Sequence, residues 1–157
     1  MWPFSKRKER KRIDRAIEDL RERIPFIDDL WVLASMTRVR TEMLRAKLRI
    51  PPVGRKHQQL TAFYLGAVEG DVRKRIDMSE ITLGELGRVG LGVALYTAQK
   101  DRVISLDDEW VSLATEYQQF YMDPDNHDFR ILGIKYSGMQ NHDPESAWGE
   151  LEKQLSQ

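Results

Sequence analysis

Residues 78–99, MSEITLGELGRVGLGVALYTAQ, constrain the fold more than any other stretch of this chain. Only Glu80, Glu85 and Arg88 are charged there, and Gly84, Gly87, Gly90 and Gly92 sit among leucines and valines. Inside a helix each glycine costs up to about 1 kcal/mol relative to alanine, so an isolated helix would make a poor use of four. Yet Leu83, Leu86, Gly90, Val93 and Thr97 recur at helical spacing, and Val89, Gly92 and Tyr96 follow on the adjacent face. Thr82 and Glu85 have the spacing of a capping box, and Asp77 with Glu80 offers a second one upstream. A helix that is apolar on nearly every side belongs at the centre of a fold. The expectation is an all-α domain of six to seven helices. They pack around a central glycine-rich helix at about 78–99, whose small residues let neighbours approach closely. The same glycines do not spell a phosphate-binding loop. GELGRVGLG is neither G-x-G-x-x-G nor a P-loop ending in Lys-Ser/Thr.

Ahead of that stretch the chain is basic, and behind it acidic. Up to Lys100 there are 21 Lys and Arg against 13 Asp and Glu; from Asp101 onward there are 4 against 12. The total is neutral, so either the halves attract each other, within one fold or between copies, or the basic part meets an anionic surface. The extreme N-terminus concentrates this property. Trp2 and Phe4 precede a run in which Lys6, Arg7, Lys8, Arg10, Lys11 and Arg12 face only Glu9. An interfacial aromatic beside a polybasic run is the composition of a membrane-surface or anion contact; the same charges would also suit nucleic-acid phosphates. Residues 1–12 are therefore read as a tail on a single domain over 13–157. That domain divides into a helical hairpin at 13–50 and a core at 55–157.

Within the hairpin, Ile13, Ile17, Leu20 and Ile24 form a narrow seam suited to one partner helix, with Pro3 and Pro25 bounding a helix at about 8–24. The next helix, about 26–49, is apolar on most faces at first. It then keeps a stripe, Val32, Met36, Val39, Met43, Ala46 and Ile50, at spacings of 4, 3, 4, 3 and 4. Away from that stripe Arg38, Arg40, Arg45, Lys47 and Arg49 make a basic face, able to track phosphates or to pair with acids such as Asp107, Asp108 and Glu109. Pro51-Pro52-Val53-Gly54 stops this helix. A third runs from Arg55 to about Val68, with Gly70 as a candidate terminator. Later come an aromatic-faced helix starting near Ser105 and Asp108, a turn at Asp123-Pro124-Asp125-Asn126, and a segment at 129–139 that reads as a helix in preference to a strand pair. A last helix is capped by Asp143 with Pro144 at its first position.

Chemistry-bearing motifs are sparse. Asp123-x-Asp125-x-His127 opens like a calcium loop, but Asp128 and Ile134 stand where Gly and Glu are needed. His57, His127 with Asp128, and Asp143 are the candidates for a divalent ion. The adjacent His-Asp pair is similar to that of all-α metal-dependent phosphohydrolases. Tyr96 to Asp101, followed by Ile104 to Glu109, resembles the A-x-x-x-D-G-x-I-S-x-x-E turns of TerB-like helical proteins, with Arg102 in place of the glycine, and no function is carried from it. There is no cysteine, no run near the roughly 20 apolar residues of a membrane span, and no signal-peptide core at the start. The reading that results is a non-enzymatic helical interaction or adaptor module. It would be cytoplasmic and peripheral at the inner membrane surface, without cofactor or small-molecule substrate, bound to a protein partner or to itself. A nucleic-acid-binding protein is the alternative, and a metal-dependent hydrolase the second alternative.

Overall fold

Prolines and capping side chains divide the chain into helices at the places local chemistry dictates. In the computed structural model the described residues are 3–76, 79, 81–101, 108–139 and 143–157. The side chains of 3–6, 9, 10, 12, 13, 16, 108, 110, 138 and 139 lie outside that description. Among the described residues seven α-helices run in order: α1 (Pro3–Arg23), α2 (Ile27–Leu48), α3 (Arg55–Arg73), α4 (Leu83–Lys100), α5 (Asp108–Met122), α6 (His127–Met139) and α7 (Pro144–Leu155). No strand occurs among the described residues. A 3-10 turn at Pro124–Asn126 joins α5 to α6, capped by Asp123.

The expected caps are in place at α4 and α7. The Thr82 hydroxyl accepts the Glu85 backbone N–H at 3.2 Å, and the Glu85 carboxylate accepts the Thr82 N–H at 3.3 Å. Asp143 accepts the Ser146 N–H at 3.3 Å with Pro144 in the first turn. Three boundaries differ from expectation, and one of them is α4, which begins at Leu83 after its Thr82 cap and not near residue 78. α1 begins at Pro3, not near residue 8, because a proline in the first turn has the right φ and gives up an N–H that has no partner in the helix. α3 continues through Gly70 to Arg73. The second cap site, Asp77 with Glu80, and the candidate start of α5 at Ser105 lie outside the described residues, as do Asp107, Asn141 and His142.

The helix that the others enclose is α3, and not the glycine-rich α4. Residues 60–72 of α3 are buried without interruption, whereas α4 leaves Leu83, Gly84 and Arg88 exposed. α3 is the wall between two apolar clusters. On one side Tyr64, Leu65, Val68 and Val72 meet Ile24, Ile27, Leu30 and Ala34 of the first hairpin and Leu86, Val89 and Val93 of α4. On the other, Leu60, Phe63 and Ala67 meet Phe129 and Tyr136 of α6 and Trp148, Leu151 and Leu155 of α7. There Phe63, Tyr136 and Trp148 form an aromatic trio with ring centroids 5.0–5.7 Å apart.

The closest helix crossing also falls on other glycines than those of α4. A methyl group on Gly66 would overlap the Arg130 carbonyl oxygen, and one on Gly133 the Phe63 carbonyl oxygen. One on Gly70 would lie 2.6 Å from the Ser137 Cβ. The pairs Gly66/Gly70 on α3 and Gly133/Ser137 on α6 thus bring the two backbones together, each pair four residues apart on one helical face. In α4, Gly84 meets nothing closer than 4.0 Å and Gly90 only ordinary contacts from 3.7 Å. Gly92 makes room for the Leu20 side chain of α1, and Gly87 for the Tyr121 ring.

This crossing seals two buried carboxylates. Glu69 accepts two hydrogen bonds from Arg130 at 2.9 and 3.0 Å, one from Arg73 at 3.1 Å and one from the Tyr121 hydroxyl at 3.2 Å. Asp71 accepts the Ser137 hydroxyl at 2.7 Å. Burial works against the Arg130 charge, and the paired bonds to Glu69 outweigh it, leaving the guanidinium pKa above its ordinary value. A buried carboxylate with this many donors is a satisfied structural group.

Candidate functional site

The basic residues of α2 face acids of this same chain. Arg38 pairs with Asp101 at 3.1 Å, Arg40 with Glu145 at 2.6 Å, Arg45 with Glu42 at 3.2 Å, and Lys47 with Glu152 at 2.6 Å. Arg40 also stacks over the Trp148 ring at 4.7 Å. The expected acids Asp107 and Asp108 lie outside the described residues or have undescribed side chains, and Glu109 is exposed on α5. Asp101 is the junction on one flank. It accepts the Trp31 indole N–H at 2.7 Å, the Ser35 hydroxyl at 2.5 Å and the Arg38 guanidinium. Burial raises its pKa, and these donors lower it by more, so the carboxyl sits below its ordinary range. Arg49 alone of the predicted basic face makes no ion pair among the described residues. It ends α2 in the left-handed conformation, φ 55°, and is exposed.

The flanks turn inward, and the large apolar side chains turn outward. Val32 is 47% exposed, Met36 65%, Val39 48% and Met43 67%. The face that α2 buries is Leu30, Ala34, Thr37, Thr41 and Leu44. Both sets follow the same 4, 3, 4 spacing, offset by two residues, which is about 200° around a helix. α2 therefore carries two seams on opposite sides. The inner one is admitted to the core because the Thr37 and Thr41 hydroxyls bond back to the Leu33 and Arg38 carbonyls at 3.1 and 2.7 Å. The outer one, bounded by α7 through Arg40 and Lys47 and by the end of α4 through Ser35 and Arg38, is an apolar stripe with nothing packed over it among the described residues.

At the N-terminus, Arg7, Lys8 and Lys11 are exposed on α1. Trp2 lies outside the described residues, as do the side chains of Phe4, Lys6, Arg10 and Arg12. α1 touches the body further along, where Ile17 and Leu20 pack beside α4.

A cleft of about 340 Å³ opens between α2, α3 and α5, lined by Arg38, Arg45, His57, Tyr64, Glu116 and Tyr117 among others. His57 Nε2 lies 3.2 Å from Glu116. Burial pushes both phenols well up, Tyr64 and Tyr117 alike, so each is neutral near pH 7. The two arginines of the cleft each face an acid, Arg38 meeting Asp101 and Arg45 meeting Glu42. Among the described residues no three His, Cys, Asp or Glu side chains gather as metal ligands. His127 and Asp128 stand exposed at the start of α6, and His57 is held by Glu116. None of the described helices is long and apolar enough to cross a membrane.

Compared with known protein families, characterised proteins and solved structures, the chain matches none.

Proposed function

We propose that this protein is a non-enzymatic helical interaction module whose working surface is the outward seam of α2. The observation that carries the reading is the exposure of Val32, Met36, Val39 and Met43 at coiled-coil spacing on the side of α2 opposite its buried face. An amphipathic helix with its own 4, 3, 4 apolar seam is the occupant this surface suits. Knobs at that spacing fit the holes between them, and the rim offers both signs of charge to a helix with mixed flanks. The nucleic-acid alternative is less well supported. Four of the five cations it would use, Arg38, Arg40, Arg45 and Lys47, are engaged with Asp101, Glu145, Glu42 and Glu152.

A synthetic amphipathic helix with leucine at its seam positions provides the test, titrated by fluorescence anisotropy against the wild type and against Met36→Glu/Met43→Glu. Both methionines are about two-thirds exposed, so the variant should keep its circular-dichroism spectrum. Binding should weaken at least about tenfold in the variant; equal binding by the two proteins overturns the reading.

A second surface follows from Arg7, Lys8 and Lys11, exposed on a helix whose anchoring residues are Ile17 and Leu20. With Trp2, Phe4, Lys6, Arg10 and Arg12 nearby in sequence, it suits an anionic lipid surface, at about 1 kcal/mol per basic residue. Vesicles containing phosphatidylserine should pellet the intact protein at low salt, and deletion of residues 1–12 should abolish that.

A further inference from the structure

We infer that the helix which covers the α2 seam is α2 of a second copy, running antiparallel about a two-fold axis between Met36 and Val39. This rests on the docking surface proposed above and names its occupant. The argument is one of register. In the seam, Val32 and Val39 are equivalent heptad positions, as are Met36 and Met43. An antiparallel two-fold pairing sets Met36 against Val39 of the second copy and Val32 against Met43. Each long flexible side chain then faces a short β-branched one, which fills space evenly.

The flanks obey the same symmetry. On one side Leu33 meets Arg40, and Phe26, itself 49% exposed, meets the aliphatic stem and ammonium of Lys47. On the other side Ser35 meets Glu42, and Asp28 meets Arg49. Asp28 takes its bonds from Tyr96 and Lys100 on Oδ1 alone, which leaves Oδ2 open among the described residues. Arg49, exposed just past the helix end, has no ion pair among the described residues. No like charges oppose each other at any of these positions. A parallel pairing would stack Met36 on Met36 and align the two helix dipoles unfavourably. It would also bring no acid to Arg49. The antiparallel arrangement is self-complementary, as a two-fold interface must be.

The seam alone covers less than the roughly 800 Å² per partner of a standard interface. The dimer is accordingly weak, forming at about tens to hundreds of micromolar. Sedimentation equilibrium on the full chain should show the mass rising from 18.4 kDa towards twice that over this range. Met36→Glu, or Met43→Glu should the first variant lose stability, should hold it at the monomer value. Register is read by cross-linking, since the chain has no cysteine. Val32→Cys and Met43→Cys proteins oxidised together should link, and each alone should not, because like positions lie about 16 Å apart along antiparallel helices. A mass that stays at 18.4 kDa up to about 1 mM overturns the self-pairing while leaving peptide binding as a separate result. Single variants that link as well as the mixture overturn the antiparallel register, and a Met36→Glu protein that still dimerises overturns the seam.

Discussion

Replacing Gly66 with alanine should damage this fold severely for a one-methyl change. The added Cβ would overlap the Arg130 carbonyl oxygen, with the Arg130 carbonyl carbon at 2.8 Å and its Cα at 3.0 Å, against an ordinary contact beginning near 3.4 Å. All three atoms are backbone of α6, so no side chain can swing aside. Relief requires the two helices to separate. Separation in turn pulls Arg130 from Glu69 and Ser137 from Asp71, bonds that depend on the same crossing. Overpacking a core by one group costs about 1–3 kcal/mol by itself. Loosening a buried, charge-assisted bond adds more than the helix propensity of alanine, at most about 1 kcal/mol, gives back. The net loss is on the order of 3 kcal/mol, or about 10 °C in the thermal midpoint for a chain of this size. Gly149→Ala is the control, since a methyl there meets nothing within 4 Å on the exposed side of α7; it should raise the midpoint by a degree or two. Differential scanning calorimetry on the three proteins decides. A Gly66→Ala midpoint at or above that of the wild type would refute the reasoning, because it would mean α3 and α6 do not approach by their backbones.

Two further outcomes follow from the buried charges. Glu69→Leu leaves Arg130 unpaired beside a 2%-exposed site and should cost about 3 kcal/mol in urea titration. The double change with Arg130→Met should recover much of it, and a double variant worse than Glu69→Leu would argue against the pair. Asp101 has its carboxyl pKa held below the ordinary value by Ser35, Trp31 and Arg38, against burial. A depressed carboxylate adds stability that is present above the unfolded pKa, about 3.9, and lost as pH falls through the folded one. Asp101→Asn should therefore lower the denaturation midpoint at pH 7, with the gap to the wild type narrowing as pH falls below the ordinary carboxyl value of about 3.9. A gap constant across that window would contradict the linkage.

Segment boundaries were legible wherever a local signal decides them. Thr82 with Glu85, Asp143 with Pro144, and Pro51-Pro52 each act within a few residues of themselves, and the helices start or stop there. The choice of centre was not legible in the same way. Gly84, Gly87, Gly90 and Gly92 attract notice by their density, but a glycine matters for packing only when another backbone arrives opposite it. The partners of Gly66 and Gly70 lie more than 60 residues away on α6. A trace was present in the pairs Gly66/Gly70 and Gly133/Ser137, each at i,i+4. The α2 surface shows the limit most clearly. Two seams of equal periodicity compete for the core, and the one with larger hydrophobes is left outside because Thr37 and Thr41 can satisfy their hydroxyls locally. The charge segregation left attraction between the halves and contact with an anionic surface both open. The actual acids are Asp101, Glu145 and Glu152, set by which helices border α2.

The position of α3 between two apolar clusters has a consequence for how the molecule comes apart. Each cluster uses a different side of one shared rod, so melting either half strips shelter from the same thirteen residues the other half needs. The halves are thereby tied into one cooperative unit, and the amides of residues 60–72 should be the last to exchange with deuterium, released only when the entire chain opens.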